Sequence, residues 1–238
     1  MSKGIVQAAN VPAFLNKGAV RGSEHVTQED LVIPRLELVQ SLSPCRKKTD
    51  QMYIEGAEEG MMFNSVTREL YGSDVIVVPV AFRKEYLLWK DRKKGGGFKG
   101  AFPTIEAAQN AREALEDGDD VEMSDTAQHF CLLVHPDNRI EEIVMSLAKS
   151  KLKTSRLWNS LIRIAEVDSF AKSYKVSGVE QTNANGDSFY GFNIVVNKFV
   201  DEPTYRRAEK LYAAIETGAV KASTDGLDEG ETKGSTEY

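Results

Sequence analysis

At 238 residues, with 41% hydrophobic and 28% charged side chains, the chain suits one large domain or one domain with appendages and can bury a substantial core. Its formal charge of -6 excludes the uniformly basic make-up of a generic nucleic-acid coat; no apolar run is long enough to span a bilayer, and the start lacks a cationic-then-apolar leader plan. Cys45 and Cys131 stand without CxxC spacing, which excludes a disulfide framework and a thiolate zinc site and favours a reducing cytosol.

Residues 1–30 are polar and weakly patterned, with Gly4, Gly18 and Gly22 spread through them, and predict a flexible N-terminal arm. Between 31 and 42, Leu36 and Leu38 alternate with Arg35 and Glu37, a period of two, while Pro34 marks an edge strand. Residues 61–66 predict a short strand. The strongest strand signal covers 75–90, where Val75, Ile76, Val77, Val78 and Val80 are apolar on both faces and should cross the core. Residues 104–116 predict an inserted helix with Thr104 as N-cap, ending in an acidic run at 117–125.

Strands at 127–134 and 139–147 predict a hairpin around His135-Pro136-Asp137-Asn138. An amphipathic helix at 152–166 should turn Leu157, Trp158, Leu161, Ile162 and Ala165 inward. A second hairpin pairs 168–179 with 188–200, the later strand carrying Tyr190, Phe192, Ile194, Val196 and Val200 on one face. A helix then begins at 201–204, with Pro203 in its first turn and Tyr205, Ala208, Leu211, Tyr212 and Ile215 inward, and stops at Gly218. Residues 222–238 hold too little apolar surface to offset the entropy of ordering and predict a disordered acidic tail. The order implies a mainly β α+β domain over 31–221, an OB-fold-like small barrel with inserted and C-terminal helices.

Residues 83–100 carry seven Lys/Arg against two acids, interleaved with Tyr86, Trp89 and Phe98 and a Gly95-Gly96-Gly97 run. Cations for phosphates, flat rings for bases and a pliable loop are what a single strand of nucleic acid requires. The candidates for that contact are Arg83, Lys84, Tyr86, Trp89, Lys90, Arg92, Lys93, Lys94, Phe98 and Lys99. A second basic cluster, Lys149, Lys151, Lys153, Arg156 and Arg163, has no acid between Ser146 and Ala165. The negative charge lies elsewhere: 106–125 has eight acids against Arg112, and the tail has Asp225, Asp228, Glu229, Glu231 and Glu237 against Lys233. With Tyr238, those tail acids form a candidate partner-binding segment that also competes with phosphates for the basic groove.

His129 and Cys131 share a strand face near His135, but they are too few to converge on a metal and read as structural. No Ser-His-Asp order, HExxH, P-loop or GxGxxG is present, and no carboxylates are visibly paired for acid–base work. The expectation is a binding protein with no catalytic residues, metal or cofactor.

The stretch Ile33-Pro34-Arg35-Leu36-Glu37-Leu38-Val39-Gln40-Ser41-Leu42-Ser43-Pro44, then Gly56-Ala57-Glu58-Glu59-Gly60-Met61-Met62-Phe63-Asn64, then 75–89 resembles bacteriophage single-stranded-DNA-binding proteins. The resemblance spans roughly 31–200. It implies an oligonucleotide-binding fold that coats single strands in replication, recombination and repair in the host cytoplasm, as a homo-oligomer or a cooperative array. It also implies a C-terminus that recruits replication or recombination proteins. It assigns binding to Arg83, Lys84, Tyr86, Trp89 and Lys90, and further along to Lys93, Lys94, Phe98 and Lys99. The tail departs from the pattern, being diluted with Gly, Ser, Thr and Lys233 and ending in Tyr238 rather than Phe. The alternative is a phage protein–protein adaptor that docks its basic loop on an acidic polymerase surface; a nuclease is the third reading.

Overall fold

A computed structural model describes residue 22 and residues 32–91, 96–183, 186–218 and 221–222. The arm expected at 1–30, apart from Gly22, and the tail expected at 222–238, apart from Ala222, lie outside the described residues; Ala222 ends a short strand rather than beginning the tail. The chain order is β1 (Val32–Ile33), β2 (Leu36–Leu38), β3 (Met62–Asn64), β4 (Leu70–Gly72), β5 (Asp74–Lys90), β6 (Phe98–Phe102) and α1 (Ile105–Glu113). It continues with β7 (Val121–Val134), β8 (Ile140–Ala148), α2 (Leu152–Ile164), β9 (Lys172–Thr182), β10 (Ser188–Phe199), α3 (Glu202–Glu216) and β11 (Lys221–Ala222).

The apolar run at 75–80 does cross the core. β5 is the central strand of an antiparallel sheet ordered β10-β9-β5-β7-β8, with β6 added beside the outer half of β5. Both faces are covered, which is why its first half is apolar on both sides. On one face, Val75, Val77, Cys131, Met145, Tyr174 and Ile194 pack with Trp158 of α2 and with Leu36, Leu38 and Met62 of the small sheet β2-β3-β4. On the other, Val78, Val80, Phe130, Leu132 and Val144 pack against Ala208, Leu211 and Ile215 of α3. Beyond these layers the outer halves of β5 and β7, with β6, form an arm on which α1 lies through Leu88, Ala108 and Val121.

Local signals explain the helix starts. Thr104 Oγ1 accepts from the Ala107 N–H at 3.1 Å, and the Asp201 carboxylate accepts from the Thr204 N–H at 2.9 Å, with Pro203 in the first turn where its missing N–H costs nothing. In β5 the ladder slips by one residue: Pro79 faces Cys131, Ala81 faces Phe130, and Val80 is extra. Proline cannot donate to a ladder, and the bulged Val80 carbonyl instead accepts from Ser169 Oγ at 3.0 Å. Gly178 of β9 is needed for close approach: a Cβ there would stand 2.0 Å from the Gly60 carbonyl oxygen, in the loop that seats the small sheet.

The fold is mixed α+β, as expected, but no small barrel forms among the described strands. β10 pairs only with β9; its outer edge at Tyr190 is met by the Gln40 side-chain amide at 2.8 and 2.9 Å. The other edge, β8, is met by the bridge Arg35–Val144 and by the Pro34 carbonyl. Edges capped this way have no reason to meet, and the sheet stays open.

Smaller corrections follow from packing. The acidic run at 117–125 is half strand: β7 begins at Val121, with Val121 and Met123 alternating inward between Glu122 and Ser124. In α2 the buried stripe centres on Ser155 and Trp158, leaving Leu157 56% exposed. Val196 and Tyr212 are also exposed. Arg35, expected as a polar outward residue, is buried and pairs with Glu37 at 3.2 Å.

His129 sits in the main core. Its Nε2 is 2.8 Å from Ser155 Oγ, and its ring stacks on Trp158 at 4.5 Å. Burial pushes its pKa down to about 3. The unfolded chain therefore binds a proton below about pH 6.5 that the folded state refuses, so this contribution is present above that pH and is lost as pH falls towards 3. Urea unfolding between pH 7 and 4.5 should show stability falling by on the order of 1 kcal/mol per pH unit from this residue. His129→Leu should flatten that slope; an unchanged slope would remove His129 as its source.

Candidate nucleic-acid interface

The ladder of β5 with β7 runs without a further slip from Ala81 to Lys90, so successive side chains alternate strictly between faces. Phe82 contacts the His129 ring at 5.0 Å and thus lies on the α2 side; Lys84, Tyr86 and Lys90 follow it there. Arg83 and Trp89 take the opposite face, and Phe98 joins Trp89 across the β5–β6 pair with ring centroids 5.0 Å apart. Neighbours in one basic and aromatic segment of the sequence, these residues are divided between two sides by the strand.

Arg83 is a packing residue. Its guanidinium donates to the Ile215 carbonyl in the last turn of α3 and lies 5.7 Å from the Phe130 ring centroid. That carbonyl also accepts from the Gly218 N–H at 3.0 Å, so the guanidinium adds a charged donor at the negative end of the helix dipole. Lys84 is half-exposed; its Nζ is 2.9 Å from Asp125 Oδ2 and 5.3 Å from the Tyr86 ring centroid. The hydrogen bond to Asp125, then that to Tyr86, raises its pKa. Lys90 is nearly covered, with Nζ 2.6 Å from Asp117 Oδ2, and Lys99 Nζ is 3.9 Å from that same oxygen. The Lys90 hydrogen bond holds the Asp117 carboxyl below its ordinary range. Tyr86, Trp89 and Phe98 are half-buried. Arg92, Lys93 and Lys94, and the tail residues Asp225, Asp228, Glu229, Glu231, Glu237 and Tyr238, lie outside the described residues.

The second basic cluster sits at the start of α2. Lys149, Lys153 and Arg156 are exposed and Lys151 is half-buried. Lys84 is aligned with Ala127, and Ala127 with Leu147, two residues before Lys149. With strands about 4.8 Å apart, the backbones of β5 and β8 are separated there by roughly 10 Å. Ala127 and Leu147 face the α2 layer, as Lys84 does. Lys84 and the α2 cluster therefore share one side of the sheet, whereas Trp89 and Phe98 do not.

Two acids of the run at 117–125, Asp117 and Asp125, are the partners of the hairpin cations. The period-two pattern from Val121 to Met123 was the available signal that this run returns along β5. His129 and Cys131 are buried, and burial pushes the Cys131 thiol up. His135 instead joins Glu69 and Glu141 in a group of metal-ligating type, their ligand atoms within 4.8 Å of one another. Arg139 already supplies a cation there, donating to both carboxylates and standing 3.2 Å from His135 Nδ1. Tyr71 also donates to Glu141 at 2.6 Å.

A family model described as Pam3 phage gp34-like protein matches residues 3–221. The chain belongs to that family. It is a phage protein. The match runs through β5, the α1 insertion and α2, so the two basic segments and the acids between them all fall inside the family region. No curated protein and no solved structure matches the chain significantly. Among the described residues, no helix is long and apolar enough to cross a membrane.

The division of β5 into packing and surface cations can be measured. Arg83→Ala should lower the unfolding free energy by about 1–3 kcal/mol, because it removes a charge-assisted hydrogen bond at the C-terminus of α3 and uncovers Phe130. Lys84→Ala should change it by about 0–1 kcal/mol, as for an exposed pair. Equal losses in urea melts would remove Arg83 from the packing of α3.

Proposed function

We propose that this phage protein binds single-stranded DNA without sequence preference and without catalysis, serving replication, recombination and repair in the host cytoplasm. The observation that carries the reading is the shared face: Lys84 and the Lys149, Lys151, Lys153 and Arg156 cluster lie on one side of the sheet although they are far apart in sequence. A strand laid across that side would meet both sets of cations. Trp89 and Phe98, on the other side, serve bases only if the strand wraps the edge of the arm.

In an anisotropy titration with labelled single- and double-stranded oligonucleotides, single strands should bind tighter. Affinity should fall with salt at a log–log slope of about -0.7 per phosphate neutralised. Binding that is indifferent to salt would sink the mechanism. Removing residues 222–238 should tighten binding, because it removes the five acids of the tail against one lysine; unchanged affinity and unchanged partner binding would reduce the tail to a solubiliser.

One observation favours a second reading, the adaptor that docks on an acidic protein: Lys84, Lys90 and Lys99 already face carboxylates, so the hairpin is less cationic than its sequence. An adaptor would bind single strands weakly in the same titration and would leave tryptophan emission unquenched.

A further inference from the structure

Asp117 faces two ammonium groups with a single oxygen, Lys90 Nζ at 2.6 Å and Lys99 Nζ at 3.9 Å. These lysines flank the tip of the β5–β6 hairpin, where the Lys90 N–H donates to the Gly97 carbonyl at 3.0 Å. The carboxylate is held in place by the fold. Arg112 Nε donates to the Gly118 carbonyl at 2.8 Å, the Gly118 N–H donates to the Leu115 carbonyl at 3.1 Å, and α1 is fixed to the arm through Ala108, Leu88 and Val121. An oxygen bearing one negative charge between two lysines reproduces what a backbone phosphodiester offers. Lys90 keeps only 12% of its side chain exposed, so a phosphate reaches it only by displacing Asp117.

We propose that Asp117 is a built-in phosphate mimic: it keeps Lys90 and Lys99 closed in the free protein, and single-stranded nucleic acid opens them by exchanging a phosphate for the carboxylate. The inference rests on the single-strand reading above. It assigns the α1 insertion a regulatory role, that of weakening attachment at the hairpin so that the α2 cluster makes the first contact. Such an exchange trades one surface ion pair for another and gains little net energy. It also releases fewer counterions than a bare cation would, because the displaced carboxylate recruits a cation of its own.

The test compares the full chain with Asp117→Asn, Asp117→Glu and Asp119→Asn in titrations of labelled single-stranded oligonucleotide at several salt concentrations, with thermal melts to verify folding. Asp119 is exposed, and no ion pair of it is seen among the described residues, so its variant makes the same charge change outside the contact. Asp117→Asn should bind about two- to tenfold tighter, the range that surface pairs of this kind allow. Its log–log salt slope should steepen by up to about 0.7 per phosphate gained. Asp117→Glu should stay close to the parent, and Asp119→Asn should gain less. A parent that binds and an Asp117→Asn variant that binds no tighter would overturn the mimic while leaving single-strand binding standing. So would an Asp119→Asn variant that matches Asp117→Asn, since bulk charge would then explain the gain. If neither parent nor variant binds single strands at low salt, the single-strand reading itself fails and the mimic fails with it.

Discussion

The ladder between β5 and β7 is the interaction on which the rest of the molecule depends. It begins at the margin of the core, with half-buried Ile76 opposite Val134, passes through the fully buried Val77 and Val78 opposite Leu133 and Leu132, and ends at the rim of the arm, with Lys90 opposite Val121. At its inner end the two strands are roofed by α2 on one side and α3 on the other. At its outer end they carry β6 and α1 and little else. One continuous pair of strands thus links a doubly covered core to a thin projection, and the rigidity of the core is transmitted to the arm through backbone hydrogen bonds.

That arrangement explains how charges that look segregated along the chain come to neutralise one another. The insertion after β6 has to return to the sheet as β7, antiparallel to β5. Its acids therefore come back along the strand that carries the cations. Asp117 reaches Lys90 and Lys99, and Asp125 reaches Lys84. Pairs of this kind are individually weak where solvent reaches them. Their collective effect is on potential: the hairpin is closer to neutral than its composition.

Much of this fold was legible in the sequence wherever a signal is local. The β5 span, the Thr104 and Asp201 caps, the turn at His135–Asn138 and the core position of Trp158 all follow from short-range pattern, and all are seen. What was not legible depends on residues distant along the chain. Whether a sheet closes is decided at its edges, and here the edge of β10 is capped at Tyr190 by Gln40, 150 positions away. The same holds for the candidate site. Periodicity showed that 83–90 was a strand, but the acids paired with it lie beyond an intervening helix. Burial of Arg35 could not be read either, since it requires the Ser65 hydroxyl to accept from the Arg35 backbone and Glu37 to meet its guanidinium.

The extra residue at Val80 has a consequence for how such a surface can change over generations. Val78 and Val80 point to the α3 side, yet beyond the slip it is the odd-numbered Ala81 and Arg83 that point there. The bulge acts as a phase shift between the two halves of one strand. The bulge takes up one residue of length: without Val80, Ala81 would still face Phe130 and Arg83 would still lie on the α3 side, so both halves would keep their faces. Loss of one codon in the regular ladder beyond it, at Phe82 for example, has no such outlet and would turn the rest of the outer half over. Arg83 would leave the C-terminus of α3, Lys84 would take its side of the sheet, and Trp89 would turn towards α1. A lineage could thus change the length of the strand at Val80 without repatterning the arm, but not a few residues further on.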